Sequence, residues 1–145
     1  MFSKACEYGI KAAIFIATKS EQKVKVSIVE IAEEIDSPVS FTSKILQKLV
    51  KSKLIDSLKG PTGGFEIKKA NAQKIKLSHI VNAIDGDSIY KGCGLGFQKC
   101  NEKEPCSLHF KFKIVREELR KMLENTSLLE LSNDINKGTT FLKRR

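Results

Sequence analysis

The 145-residue chain has only two histidines and no glycine-rich turn after a strand. No nucleophile stands beside a base at an informative spacing. That inventory leaves an enzyme little to work with. No apolar run approaches the roughly 20 residues needed to cross a bilayer, so no membrane partner is expected. The N-terminus, MFSKACEYGIKAAIFIATKSEQK, is apolar only in patches, because Lys4, Glu7 and Lys11 interrupt it. It also lacks a small-residue cleavage site, so it reads as a helix of the mature fold rather than an export signal. A cytoplasmic location and reduced thiols are therefore expected. Internal repeats and low-complexity segments are absent. What remains is ordinary globular composition, 41% hydrophobic and 30% charged. The length suits one domain, or one domain with an appendage.

The formal charge of +9 points to a polyanionic partner. Its distribution does not place the contact, since residues 1–67 carry +2 and residues 68–145 carry +7. Motifs must do that. Ile10, Ala13, Ile14 and Ala17 recur at helical spacing and predict a buried helix over about Ser3–Lys19. Ser27-Ile28-Val29-Glu30 is a capping-box pattern, followed by an apolar face of Ile28, Ile31, Ala32 and Ile35. Pro38 breaks that helix by pushing Ser37 out of the helical region. A second helix is expected over about Ser40–Ser52, with Phe41, Ile45, Leu46, Leu49 and Val50 inward. Thr42, Ser43, Lys44, Gln47, Lys48 and Lys51 should face outward. Leu54–Lys59 and Phe65–Lys69 alternate as strands, and Gly60-Pro61-Thr62-Gly63-Gly64 joins them as a protruding hairpin tip.

Helix, break, helix, hairpin is the order of a winged helix-turn-helix. Such a fold lays its second helix in the major groove while the wing meets phosphate or minor groove. Ser40, Thr42, Ser43, Lys44, Gln47 and Lys48 supply short polar groups and donors on that helix, and no acid lies between Phe41 and Ile55. Lys59 and the tip Gly60–Gly64 let backbone approach the sugar-phosphate chain. A lysine-rich helix alone is more often a solvated face; the hairpin at the right distance favours DNA.

Leu77, Ile80, Val81 and Ile84 predict another short amphipathic helix. A loop over about Ser88–Cys106 follows, then a long helix from Ser107 to about Glu124. In it Leu108, Phe112, Val115, Leu119 and Met122 keep a heptad-like step. The seam faces either its own core or a second copy, and dimerisation is the favoured reading. Thr126 should cap a final short helix.

The loop YKGCGLGFQKCNEKEPCSLHF gathers Cys93, Cys100, Cys106 and His109 among Gly, Lys, Glu and Asn. Clustered thiols in a reducing compartment suggest a metal or redox site rather than a disulfide staple. Cys106 and His109 can share a face at a helix start, where the dipole favours a thiolate on Cys106. Iron–sulfur clusters are held by thiolates on wrapping backbone. Zinc held by three Cys and one His is an alternative, although the gaps lack paired knuckles. A metal-free thiol–disulfide switch and purely structural cysteines are the others. Cys6 should pack in its apolar helix, and His79 should be exposed.

SKACEYGIKAAIFIA, VSIVEIAEEIDSPVSFTSKILQKLVKSKLIDSLKGPTGGFEI, KIKLSHIVNAIDG and the cysteine loop, in that order, resemble the bacterial Rrf2 family of transcription regulators. The likeness covers about residues 2–135. It implies a mainly α fold with a small β-hairpin: a winged helix-turn-helix over residues 1–70, and a sensor loop with a long C-terminal dimerisation helix over 71–145. It also implies a homodimer on double-stranded promoter DNA. In the family's sensor members the matching cysteines, here Cys93, Cys100 and Cys106, hold an iron–sulfur cluster of two or four irons. A fourth ligand comes from the position of His109, or from an acidic residue of the partner's first helix, matched by Glu7. Two departures stand out: many members have an acid where this chain has Ser43, and six residues rather than five separate Cys93 from Cys100. A small electron-transfer protein and a module whose wing binds protein are the rival functions.

Overall fold

The computed structural model describes residues 1–98 and 101–143. Helix α1 (Lys4–Glu21) opens where Ser3 accepts the Cys6 N–H at 3.0 Å. Ser3 is itself held by Asp85, which takes its backbone N–H at 3.1 Å and its hydroxyl at 2.5 Å. The helix buries Cys6, Ala12, Ala13, Ile16 and Ala17, and forms the axis of the molecule. Gly9 sits where a Cβ would meet Ile84 Cδ1 at 2.0 Å and Ile45 Cγ2 at 3.5 Å. Its missing side chain lets two other helices close on α1.

Helix α2 (Ile28–Glu34) has both bonds of the predicted capping box between Ser27 and Glu30. Asp36, at φ 54°, turns the chain through Pro38 into α3 (Val39–Lys51). An edge-to-face pair of Tyr8 and Phe41, 5.7 Å between centroids, ties α3 to α1. The hairpin strands are shorter than expected, β1 (Asp56–Leu58) and β2 (Gly64–Glu66), antiparallel with Ser57 opposite Phe65. Burial stops them. Ile55 and Ile67 sink into the core on either side of the ladder, and the Ile67 N–H turns away to the Ser20 hydroxyl at 3.0 Å. A single bridge from Val26 to Phe65 fixes the wing to the segment before α2.

A helix absent from the sequence expectation follows, α4 (Lys69–Lys74), and then α5 (Leu77–Asp85). One turn, α6 (Ser88–Lys91), begins the predicted loop. The long helix α7 runs His109–Asn125, and α8 (Leu128–Asn136) is capped by Ser127, not Thr126. Helix α8 returns to pack along α1. An antiparallel bridge of Lys76 with Ser127 closes the excursion, with the Leu77 N–H on Thr126 O at 3.0 Å and the Leu128 N–H on Ile75 O at 2.8 Å. The core is one cluster reaching from Cys6 to Leu128. Among the described residues no helix is long and apolar enough to cross a membrane.

Candidate nucleic-acid interface and thiol site

Helix α3 presents two faces. Ile45, Leu46 and Leu49 enter the core, while Ser40, Lys44, Gln47, Lys48 and Lys51 are exposed and Ser43 is half-buried. Thr42 does not face outward as the sequence suggested. It is 0% exposed, and its hydroxyl donates to Pro38 O at 2.9 Å. Its position explains this: residues 42, 45, 46 and 49 form one i, i+3, i+4, i+7 stripe, so Thr42 shares the core face. Its hydroxyl is spent on closing the first turn. No acidic residue stands within this helix.

The wing puts Lys59, Gly60, Pro61 and Thr62 in solvent, with Gly63 and Gly64 half-buried behind them. A Cβ on Gly63 would lie 2.1 Å from Leu58 O, and one on Gly64, at φ +138°, 2.9 Å from Val26 O. These two glycines are required by the hairpin itself. Gly60, at φ +96° with open space around it, is the part free to approach another molecule.

The described thiols of the loop meet. Cys93 and Cys106 place their Sγ atoms 3.6 Å apart, and both line a pocket of about 390 Å³ with Phe97, Glu104, Pro105 and His109. Cys100 lies outside the described residues. Backbone N–H groups of Leu95, at 3.4 Å, and Phe97 aim at the Cys93 sulfur and hold that thiol below its ordinary range. His109 is 3% exposed, so it is no helix-surface residue but a wall of the thiol pocket. Helix α7 starts at His109, and Cys106 precedes it, its carbonyl accepting the His109 N–H at 3.0 Å.

The other candidates stand apart. Glu7 pairs with Lys4 at 3.7 Å on α1 and does not line the pocket. Cys6 is fully buried, and burial, followed by the charge of Asp85, pushes its thiol up to about 12. His79 is exposed and accepts the Lys76 N–H at 3.0 Å, capping α5. A larger cavity, about 870 Å³, lies elsewhere, between α1, α8 and the C-terminal segment.

Thiolates about 2.3 Å from a tetrahedral metal stand about 3.8 Å from each other. The Cys93–Cys106 separation therefore suits two ligands on one metal edge, and equally a dithiol. Among the described residues no group of three His, Cys, Asp or Glu side chains converges to hold an ion. The pair fits; a full donor set needs a further ligand.

Sequence reasoning missed what holds the loop. Arg116, 8% exposed, donates from Nη1 to Gly92 O at 2.8 Å, and Arg120 donates from Nη2 to Tyr90 O at 3.3 Å. The readable signal was an arginine on the inward stripe 109, 112, 116, 119 and 123 of α7. That stripe also corrects the single seam. Leu119 packs on the chain's own core and Phe112 is half-buried against Gly94, whereas Leu108, Val115 and Met122 stay exposed, beside Phe110 and Ile114.

A family model described as Rrf2, iron-dependent transcriptional regulator, matches residues 2–134. A protein of Aquifex aeolicus described as an HTH-type transcriptional regulator is 30% identical over 135 residues, 92% of each chain. The HTH-type transcriptional regulator IscR of Pectobacterium atrosepticum is 27% identical over 127 residues, 88% of this chain and 76% of that one. The solved structure of T. potens IscR shares the fold at a TM-score of 0.73 and 18% identity, covering 97% of this chain and 91% of that one.

Proposed function

This chain belongs to the Rrf2 family of transcription regulators, and from that we propose a homodimer whose grip on a promoter operator is adjusted by an iron–sulfur cluster in the loop before α7. Residues 1–70 would read DNA, and residues 71–145 would sense and dimerise. The observation that carries the sensing half is the pairing of Cys93 and Cys106 at 3.6 Å around the His109 pocket.

Reading starts at α3. The first N–H groups of a helix lack intrahelical acceptors and favour a phosphate, and Ser40 stands exposed beside them. Lys44, Gln47 and Lys48 follow on the outward face, where donors reach base edges or phosphates in the major groove. Lys59 and the tip around Gly60 offer a second contact to the backbone. The outward stripe Leu108, Val115 and Met122, a seven-residue repeat, is a seam that a second copy covers.

Cys93, Cys106 and Cys100 would hold the cluster as thiolates. A fourth donor would come from His109, which lines the same pocket without converging on the two sulfurs here, or from Glu7 of a second copy. When bound, such a cluster supplies a centre that oxygen, nitric oxide or iron scarcity can alter or remove. A loop held in one arrangement favours one arrangement of the dimer, and DNA affinity changes by the same coupling energy.

The test is anaerobic purification followed by iron, sulfide and visible-absorbance measurement, and by operator binding of wild type and Cys93→Ser. Colour and iron in wild type, with operator binding that differs between loaded and cluster-free protein and a Cys93→Ser variant locked in the cluster-free behaviour, supports the reading. Protein that stays colourless after reconstitution, with binding indifferent to Cys93→Ser, sinks it. The same close thiols favour a second reading, a metal-free dithiol switch. Binding that follows oxidation rather than iron would select it.

A further inference from the structure

Cys93 is the distal member of the thiol pair, and its own segment fixes it only locally, through the Leu95 N–H on its sulfur and the Gly96 N–H on its carbonyl. Gly92 and Gly94 flank it, and glycine backbone is the least restrained. What ties that turn to the rest of the fold is α7. The Arg116 guanidinium takes the carbonyl of Gly92, the residue before Cys93, at 2.8 Å. It also lies over the Phe112 ring, 5.7 Å from its centroid. That ring packs flat against Gly94, the residue after Cys93, so closely that a Cβ there would stand 2.9 Å from it. One turn on, Arg120 holds Tyr90 O and covers the Tyr90 ring at 5.3 Å, and Tyr90 donates to Asn82 Oδ1 at 2.8 Å. His109, Phe112 and Arg116 step by three and four, so one stripe of α7 grips both sides of Cys93 and begins beside Cys106. A buried guanidinium is costly unless its donors are used, and a planar fork can bond a carbonyl while stacking on a ring.

We propose that Arg116 is the positioning residue of the thiol site: by holding Gly92 while Phe112 abuts Gly94, it keeps Cys93 beside Cys106 without any metal. The loop is thereby pre-organised, and metal binding has less ordering entropy to overcome. The statement about metal loading rests on the function proposed above; the statement about the thiol pair does not.

The test uses full-length, reduced, cluster-free protein and diamide, a diazene. Two thiols give it two electrons and two protons, one S–S bond forms, and a hydrazine leaves. Peptide mapping under non-reducing conditions follows the rate of the Cys93–Cys106 link. Wild type should form it readily, its two sulfurs already standing 3.6 Å apart. Arg116→Met should slow it roughly tenfold or more, as proximity effects of this kind predict. Arg116→Lys, which keeps a donor for Gly92 O, should recover part of the rate. Melting curves identify variants that remain folded. Should Arg116→Met fail to fold, Gly94→Ala pushes the loop off Phe112 without removing a charge, and should give the same slowing. A wild-type rate in folded Arg116→Met, or in Gly94→Ala where only that folds, would overturn the proposal. Iron retained after anaerobic reconstitution should fall with the same variants. If wild type itself takes up no iron, the cluster reading fails while the thiol-rate result still decides the role of Arg116.

Discussion

Cys6 and Cys93 are thiols of one short chain whose surroundings pull them in opposite directions. Burial raises Cys6 to about 12, and the N–H groups of Leu95 and Phe97 lower Cys93. Iodoacetamide should therefore modify Cys93 with a pH midpoint below the ordinary thiol value of 9.0, and leave Cys6 untouched until the chain unfolds. Mass spectrometry across a pH series checks both. The linkage sign for Cys6 is that of a raised folded value: its contribution to stability is intact below about 9 and declines as pH climbs toward 12. Thr42 offers a second contrast. Thr42→Val removes one buried hydrogen bond and should cost about 1 kcal/mol in a denaturation curve. Operator affinity should be unchanged, since the hydroxyl never reaches solvent. Composition marked Thr42 as polar, but its register beside Ile45, Leu46 and Leu49 carried the correct answer. His109 was legible only as a candidate donor, and its burial depended on α7 lying against the loop.

At the scale of elements, α3 and the wing separate structure from contact. Lys44→Gln and Lys48→Gln should each weaken binding across operator sequences and reduce the slope of log affinity against log salt by about 1. Titrations at several salt concentrations measure this. Gly63→Ala acts differently, because the obstacle at 2.1 Å is backbone. It should destabilise the hairpin by roughly 1–3 kcal/mol, and lower affinity only through a displaced tip. The Ser27–Glu30 box and the hairpin were legible because each has a local signature. Helix α4 was not. It buries one residue, Ala72, and has no side-chain cap, so neither periodicity nor a start signal announces it. The α7 repeat was visible as one seam, but choosing which residues serve the chain's own core required knowing where α5 and α6 lie against it.

For the whole molecule, the two stripes of α7 predict separable failures. Leu123, fully buried, belongs to the core, and Leu123→Ala should cost about 2–5 kcal/mol. Val115→Glu touches only the exposed stripe, and under the proposed dimer it should sediment as a folded monomer where wild type sediments as a dimer. The segment from Lys76 to Ser127 enters and leaves at an antiparallel bridge, and its first helix, α5, packs on α1 and α3. Its entry and exit being neighbours, the stretch beyond α5 behaves as a cassette seated on that helix. A residue gained or lost within it, such as the extra one between Cys93 and Cys100, alters the cassette's interior and leaves its seating untouched. Change in the loop between α6 and α7 is thereby kept apart from α3 and the wing.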